Sequence, residues 1–198
     1  MTNKSYKPEV IILCEDIAHE RFIRQYLISC GFENRKIKDF GNPKGRKVNN
    51  NNDFVLKHYA SLVKSYRSKN FQNRAIVVMT DADNKTINDI IRSLNIALDE
   101  QEGKLNRDLR LPNEKIAIFV PTRNIETWFY YISIDHNCDE TTDYKTNPKI
   151  RKMNETEKIK LAEASAIKLA KEICPQGLDS QALTSLHHAC TELQRLLD

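Results

Sequence analysis

Glycine and proline are scarce, with five and six copies among 198 residues. So few backbone breakers exclude a collagen-like or low-complexity chain, and 40% hydrophobic residues exclude a wholly disordered one. No apolar run approaches the roughly 20 residues a membrane span needs. The longest strand-like run is Val10 to Cys14. The stretch Met1-Thr2-Asn3-Lys4 carries no apolar core of an export signal. Cysteine is present but unpatterned. Cys14, Cys30, Cys138, Cys174 and Cys190 are odd in number and show neither paired metal-site spacing nor a disulfide framework. A cytoplasmic protein with reduced thiols is the expectation. The length suits one domain with a core of its own.

Net charge is only +4, but it is unevenly spread. Residues 1–75 hold 15 Lys and Arg against 7 Asp and Glu, whereas residues 76–198 hold 16 against 20. Arg35, Lys36, Lys38, Lys44, Arg46 and Lys47 lie close together, with Asp39 the only acid among them. Such a stretch is either a phosphate-binding surface or simply a solvated one.

Three near-continuous apolar runs read as strands covered on both faces, which implies a parallel sheet. They are Val10 to Cys14, Ala75 to Met79 and Ile116 to Val120, with a weaker candidate at Lys36 to Phe40. Helical periods fill the gaps. Ala18, Phe22, Tyr26 and Leu27 share a face ending near Gly31. Phe54, Val55, Tyr59, Leu62, Val63 and Tyr66 form a second face, with Asn52 a candidate cap. A third helix is expected from Thr86 to Glu102, where Thr86 and Asp89 have capping-box spacing. A short helix follows at Ile125 to Ile132, then a polar loop or mobile segment from Ser133 to Asn154. Two closing helices are expected at Glu155 to Cys174 and Ser180 to Leu197. The expected fold is α/β: a mostly parallel four-stranded sheet flanked by helices, Rossmann-like in kind, with a C-terminal helical pair packed on it. Residues 1–132 would form the core and residues 133–198 a loop and helical extension of the same domain.

Each strong strand runs into acids: Glu15 and Asp16 after the first, Asp81-Ala82-Asp83 after the second, and Glu126 shortly after the third. Parallel sheets bind ligands beyond the carboxyl ends of their strands. Glu15, Asp81, Asp83 and Glu126 would therefore converge, and clustered carboxylates call for a cation. Mg2+ or Mn2+ suits oxygen ligands, and the chemistry would be metal-assisted phosphoryl transfer. In an extended segment Asp81 and Asp83 would point to one side. Each acid also has a plainer reading, as an Asx turn, a helix cap or first-turn charge.

Cys14-Glu15-Asp16 and Met79-Thr80-Asp81-Ala82-Asp83-Asn84 resemble the TOPRIM superfamily over about residues 9–131. That family has a Glu ending an apolar first strand and Asp-x-Asp ending a later one. The chain looks closest to small stand-alone TOPRIM-like proteins and to the TOPRIM half of OLD-type nucleases, often found in bacterial defence loci. The run Pro121 to Trp128 is similar to a segment of those small proteins. The resemblance implies Glu15 as metal ligand or general acid/base, Asp81 and Asp83 as Mg2+ ligands, and a nuclease acting on DNA or RNA. Two departures stand out. Asp16 replaces the usual Gly, adding a charge and a Cβ, and the family's further acid in the next helix is matched only by Glu20.

The expected function is a divalent-metal-dependent nuclease with Glu15, Asp81, Asp83 and Glu126 catalytic, and Lys44, Arg46, Lys47 and Arg123 holding nucleic acid. The alternative is a non-catalytic TOPRIM-like subunit that binds nucleic acid or a partner ATPase. A haloacid-dehalogenase-like phosphohydrolase would need its aspartates on the first strand and leaves Glu15 without a role. Arg123 could clamp a phosphate or pair with Glu126, Trp128 could stack a base or pack on the sheet, and none of the five histidines has an evident partner.

Overall fold

The three apolar runs are strands and the weaker fourth is a short one: β1 (Glu9–Cys14), β2 (Ile37–Asp39), β3 (Arg74–Met79) and β4 (Ile116–Phe119). The computed structural model describes residues 7–41, 51–69, 73–102 and 110–197. All strand pairs are parallel and the order is β2-β1-β3-β4. The chain lays β2 on one side of β1 and then crosses to place β3 on the other. This creates a topological switch point between the carboxyl ends of β1 and β3.

Alternation along the strands splits the core into two layers. Val10, Ile12 and Cys14, with Ala75, Val77, Met79, Ala117 and Phe119, face α1 (Ile17–Ser29) and the later helices. Leu13, Ile76, Val78, Ile116 and Ile118 face α2 (Asn51–Ser68) and α3 (Ile87–Glu102). Both sheet faces are covered, so nearly every strand residue is apolar, as the near-continuous runs required. The expected capping box closes the start of α3: Thr86 N–H donates to Asp89 Oδ2 at 3.0 Å, and Asp89 N–H to Thr86 Oγ1 at 3.1 Å. Asn52 lies in the first turn of α2, but its side chain is outside the described residues, as are Lys44, Arg46 and Lys47.

Beyond β4 come α4 (Ile125–Ser133), α5 (Pro148–Arg151), α6 (Glu155–Lys168), α7 (Cys174–Gln176) and α8 (Thr184–Leu197). The 133–154 segment, expected as a loop, carries a 3-10 turn at Tyr144–Thr146 as well as α5. The first closing helix changes to a π-turn at Leu169–Ile173 rather than continuing evenly to Cys174. Ala162, Ala166, Leu186 and Leu193 join the same core as β1 and β3, so the C-terminal helices pack on the sheet as expected. Trp128 is fully buried, lies 5.6 Å from the Phe22 ring, and donates its indole N–H to Ser185 Oγ at 2.8 Å. It is a core residue. Among the described residues no helix is long and apolar enough to cross a membrane.

Candidate metal centre

Cys14 is opposite Met79 in the β1–β3 ladder, so the residues after them leave the sheet side by side. Glu15 Oε1 accepts the Thr80 hydroxyl and, at 2.8 Å, the backbone N–H of Asp81. The convergence expected for the acids at the ends of β1 and β3 is therefore present for Glu15 and Asp81. Both are buried.

Asp16 is the N-cap of α1. Its φ of −144° is extended backbone that any residue adopts, so a Cβ in place of the family's Gly brings no strain. Asp16 Oδ1 accepts the N–H groups of Ala18 at 2.8 Å and His19 at 3.0 Å. The same oxygen lies 2.8 Å from His19 Nδ1. The cap thus also aims the imidazole, whose Nε2 lies 3.0 Å from Asp81 Oδ1. His19 is fully buried with a carboxylate at each ring nitrogen. Burial opposes its charge, but Asp16 and Asp81 outweigh burial and hold its pKa well above the ordinary value. The two aspartates thus favour the charged, imidazolium form of His19.

The same environment acts oppositely on neighbouring acids. Burial pushes Glu15 up to about 7, with the Asp81 charge adding to this and His19 opposing it. Asp16 goes down despite partial burial, because His19 and the capping N–H groups favour its charged form. Lys145, from the 3-10 turn, places Nζ 3.2 Å from Asp81 Oδ2. Burial works against its charge, yet Asp81, Glu126 and Asp83 together raise its pKa.

Glu126 sits in the first turn of α4 and is buried, which raises its pKa. Its Oε1 is 4.0 Å from Lys158 Nζ, while Oε2 is buried without a hydrogen-bond partner. Asn124, the N-cap of α4, leaves its buried Oδ1 unpartnered too, although Nδ2 donates to Asp143 at 2.8 Å. Glu15, His19 and Asp81 offer ligand atoms all within 4.8 Å of one another, a buried cluster that could hold a metal ion. Glu126 does not belong to this set of ligand atoms.

Asp83 does not join the buried trio. Beyond β3, Ala82 N–H donates to Pro121 O at 2.9 Å and Asp83 N–H to Arg123 O at 2.8 Å. There the backbone turns left-handed, with φ 51° at Asp83 and 64° at Arg123. The segment is not extended at Asp83, so the one-residue spacing does not send both aspartates the same way. Asp81 is buried and Asp83 exposed. The Arg123 guanidinium donates to Asn84 Oδ1 and makes no ion pair with Glu126. Glu20 is buried away from the cluster, paired with Arg24 and, at 3.3 Å, with Arg21.

Sequence reasoning missed two groups. His19 had a usable signal, since it stands at the third helical position after the cap Asp16, within reach of the cap's side chain. Lys145 had none, lying in a segment without hydrophobic period. Compared with protein-family models, with curated proteins and with solved structures, the chain matches none of them, and its chemistry is read from its own geometry.

Proposed function

We propose that the chain is a divalent-metal-dependent nuclease of TOPRIM type, cleaving nucleic-acid phosphodiester bonds with Mg2+ or Mn2+, in a bacterial defence setting. The observation that carries this reading is the meeting of Glu15, His19 and Asp81 at the switch point of a parallel sheet. Glu15 and Asp81 hold the metal, and Glu126 offers its unpartnered oxygen as an assisting acid, with Asp83 outside the buried set. A bound divalent ion supplies phosphate charge neutralisation and a water acidic enough to attack. His19 balances the acid charge in the metal-free protein and gives up its proton when a stronger cation takes that role. Lys145, half-exposed beside Asp81, grips a non-bridging phosphate oxygen. Lys44, Arg46, Lys47 and Arg123 hold the nucleic-acid backbone. Two left-handed non-glycine residues side by side, each costing on the order of 1–2 kcal/mol, support a functional rim at Asp83 and Arg123.

The test is Mn2+ calorimetry and cleavage of single- and double-stranded DNA and RNA by the wild type and Asp81→Ala. The variant should lose more than the roughly 10–100-fold in metal affinity typical of an outer-shell change, and all cleavage, while its circular dichroism stays native. A folded Asp81→Ala protein that cleaves like the wild type would end the proposal.

One observation favours a second reading, a non-catalytic subunit that binds nucleic acid or a partner ATPase. His19 and Lys145 already neutralise Asp81, so the acids are balanced without any metal. Nucleic-acid binding that is indifferent to Mn2+, with no turnover, is the outcome that selects it.

A further inference from the structure

Away from the acids, the C-terminal helices bring two thiols together. Pro175 lacks an N–H, and its ring excludes the carbonyl four residues back, so α6 cannot run through it on an even α period. The helix widens into the π-turn Leu169–Ile173, passes into α7, and ends at Gly177 with φ 81°. Cys174 consequently sits with Sγ 3.3 Å from Cys190 Sγ on α8 and 3.3 Å from the Tyr26 hydroxyl on α1. Both cysteines are half-buried and line an open pocket of about 390 Å³, together with Tyr26, His187 and Thr191. The two sulfurs need approach by only about 1.3 Å to reach a disulfide bond length.

We propose that Cys174 and Cys190 form a redox modification site, which an oxidant of the hydroperoxide class converts reversibly to a disulfide tying α7 to α8. Cys174 is the attacking sulfur. Its thiolate attacks a peroxide oxygen, the O–O bond breaks, and the departing hydroxide takes the proton released by the thiol, leaving a sulfenic acid and one water. Cys190 sulfur then attacks the sulfenic sulfur. The S–O bond breaks, and the hydroxide leaves with the Cys190 proton as a second water. Two thiols lose one electron each and one peroxide gains two.

The surroundings assign the two roles. The hydrogen bond shared with Cys190 lowers Cys174, burial opposes this, and the Tyr26 hydroxyl 3.3 Å from its Sγ further supports the thiolate. The same pairing pushes Cys190 upward, which suits a resolving thiol. Burial pushes Cys30 and Cys138 up to about 11, so they are poor competitors near neutral pH.

The full-length chain, reduced and kept in EDTA, is treated with one to a few equivalents of hydrogen peroxide at pH 7.5, quenched with N-ethylmaleimide and mapped by mass spectrometry. Expected is a mass loss of about 2 Da located in a Cys174–Cys190 peptide, reversed by dithiothreitol. Closing a loop of this size should also raise Tm by roughly 6–12 °C. Cys190→Ser should stop at a dimedone-reactive sulfenic acid on Cys174. If that variant does not fold, the wild-type map decides by itself. First oxidation at Cys138, a Cys30–Cys174 link, or a pair still reduced after Cys30 and Cys138 are oxidised overturns the proposal.

Discussion

The backbone N–H of Asp81 donates to Glu15 Oε1 across 2.8 Å, although 66 residues separate them in sequence. The two acids touch through an amide rather than only facing each other, while the Asp81 side chain is engaged by His19 on one oxygen and Lys145 on the other. Each Asp81 oxygen thus has a cationic partner. Glu15 shares the neighbourhood of His19 but bears the cost of burial itself, and is the group poised to titrate near neutrality.

That poise sets a pH dependence of stability. Glu15 is raised above its unfolded value to about 7, so its contribution is fully present below about pH 4.5 and is lost as pH rises through 7. His19 is raised too, so its contribution is fully present below about pH 6.5 and declines above that. Both therefore act in the same direction. In EDTA, Tm should fall between pH 5.5 and 8.5, the Glu15 part amounting to a few kcal/mol. Glu15→Gln should flatten that slope by removing the Glu15 part. Equal slopes in the two proteins, measured by thermal melts across the range, would refute the assignment.

Metal binding should expel protons. Glu15 is about half protonated at pH 7, and His19 must lose a proton to present a ring nitrogen to an ion. Mn2+ calorimetry at pH 7 in two buffers of different ionisation enthalpy should give between about one and two protons released per ion. Apparent affinity should rise with pH through and above 7. Binding without proton release would place the ion elsewhere than at Glu15 and His19.

The sheet and the pairing of Glu15 with Asp81 were legible because both follow from local patterns. Runs such as Ala75 to Met79 have no polar alternation, which requires a doubly covered parallel strand, and parallel strands deliver their terminal acids to one edge. His19 was harder, since its importance lies in a bond to a residue 62 positions away. Lys145 was illegible because turn chemistry, not hydrophobic period, builds its segment. Asp139 Oδ1 accepts from the N–H groups of Thr141 and Thr142, Asp143 from that of Lys145, and Asn147 from that of Lys149. The same chemistry shortened α8. Asp179 Oδ1 accepts the Gln181 N–H at 2.7 Å, so the expected start at Ser180 is a turn and the helix begins at Thr184.

The proposed grip on nucleic acid gives a salt-dependence test. If Lys44, Arg46 and Lys47 each neutralise one phosphate, replacing all three by Ala should make the slope of log K against log salt shallower by roughly 2–3 for duplex DNA. Fluorescence anisotropy between 50 and 300 mM salt reads this directly. Metal affinity should not change, since cationic Lys and Arg side chains do not ligate a divalent ion. An unchanged slope would move the nucleic-acid contact away from this stretch.

The other prediction concerns the sheet edge on which the site depends. β4 ends the sheet, and α8, packed on it through apolar residues, also sends one carboxylate to its open side. Glu192 is buried. Its Oε2 accepts the Ile118 N–H at 2.8 Å, and Arg110 pairs with both of its oxygens, at 3.0 Å to Oε1. Arg110 in turn donates to Ile116 O at 2.9 Å, so one ion pair satisfies two backbone groups of an edge strand. Glu192→Ala leaves an edge N–H buried without its partner and the guanidinium with only its bond to Ile116 O, which costs about 3–5 kcal/mol. In a chain of this length that is a Tm loss of roughly 6–20 °C. Glu192→Gln keeps an acceptor for Ile118 and should recover about half of it, because only the charge is lost. Thermal melts of the two variants decide the matter: an Ala variant within about 2 °C of the wild type would mean that α8 holds the edge by apolar packing alone.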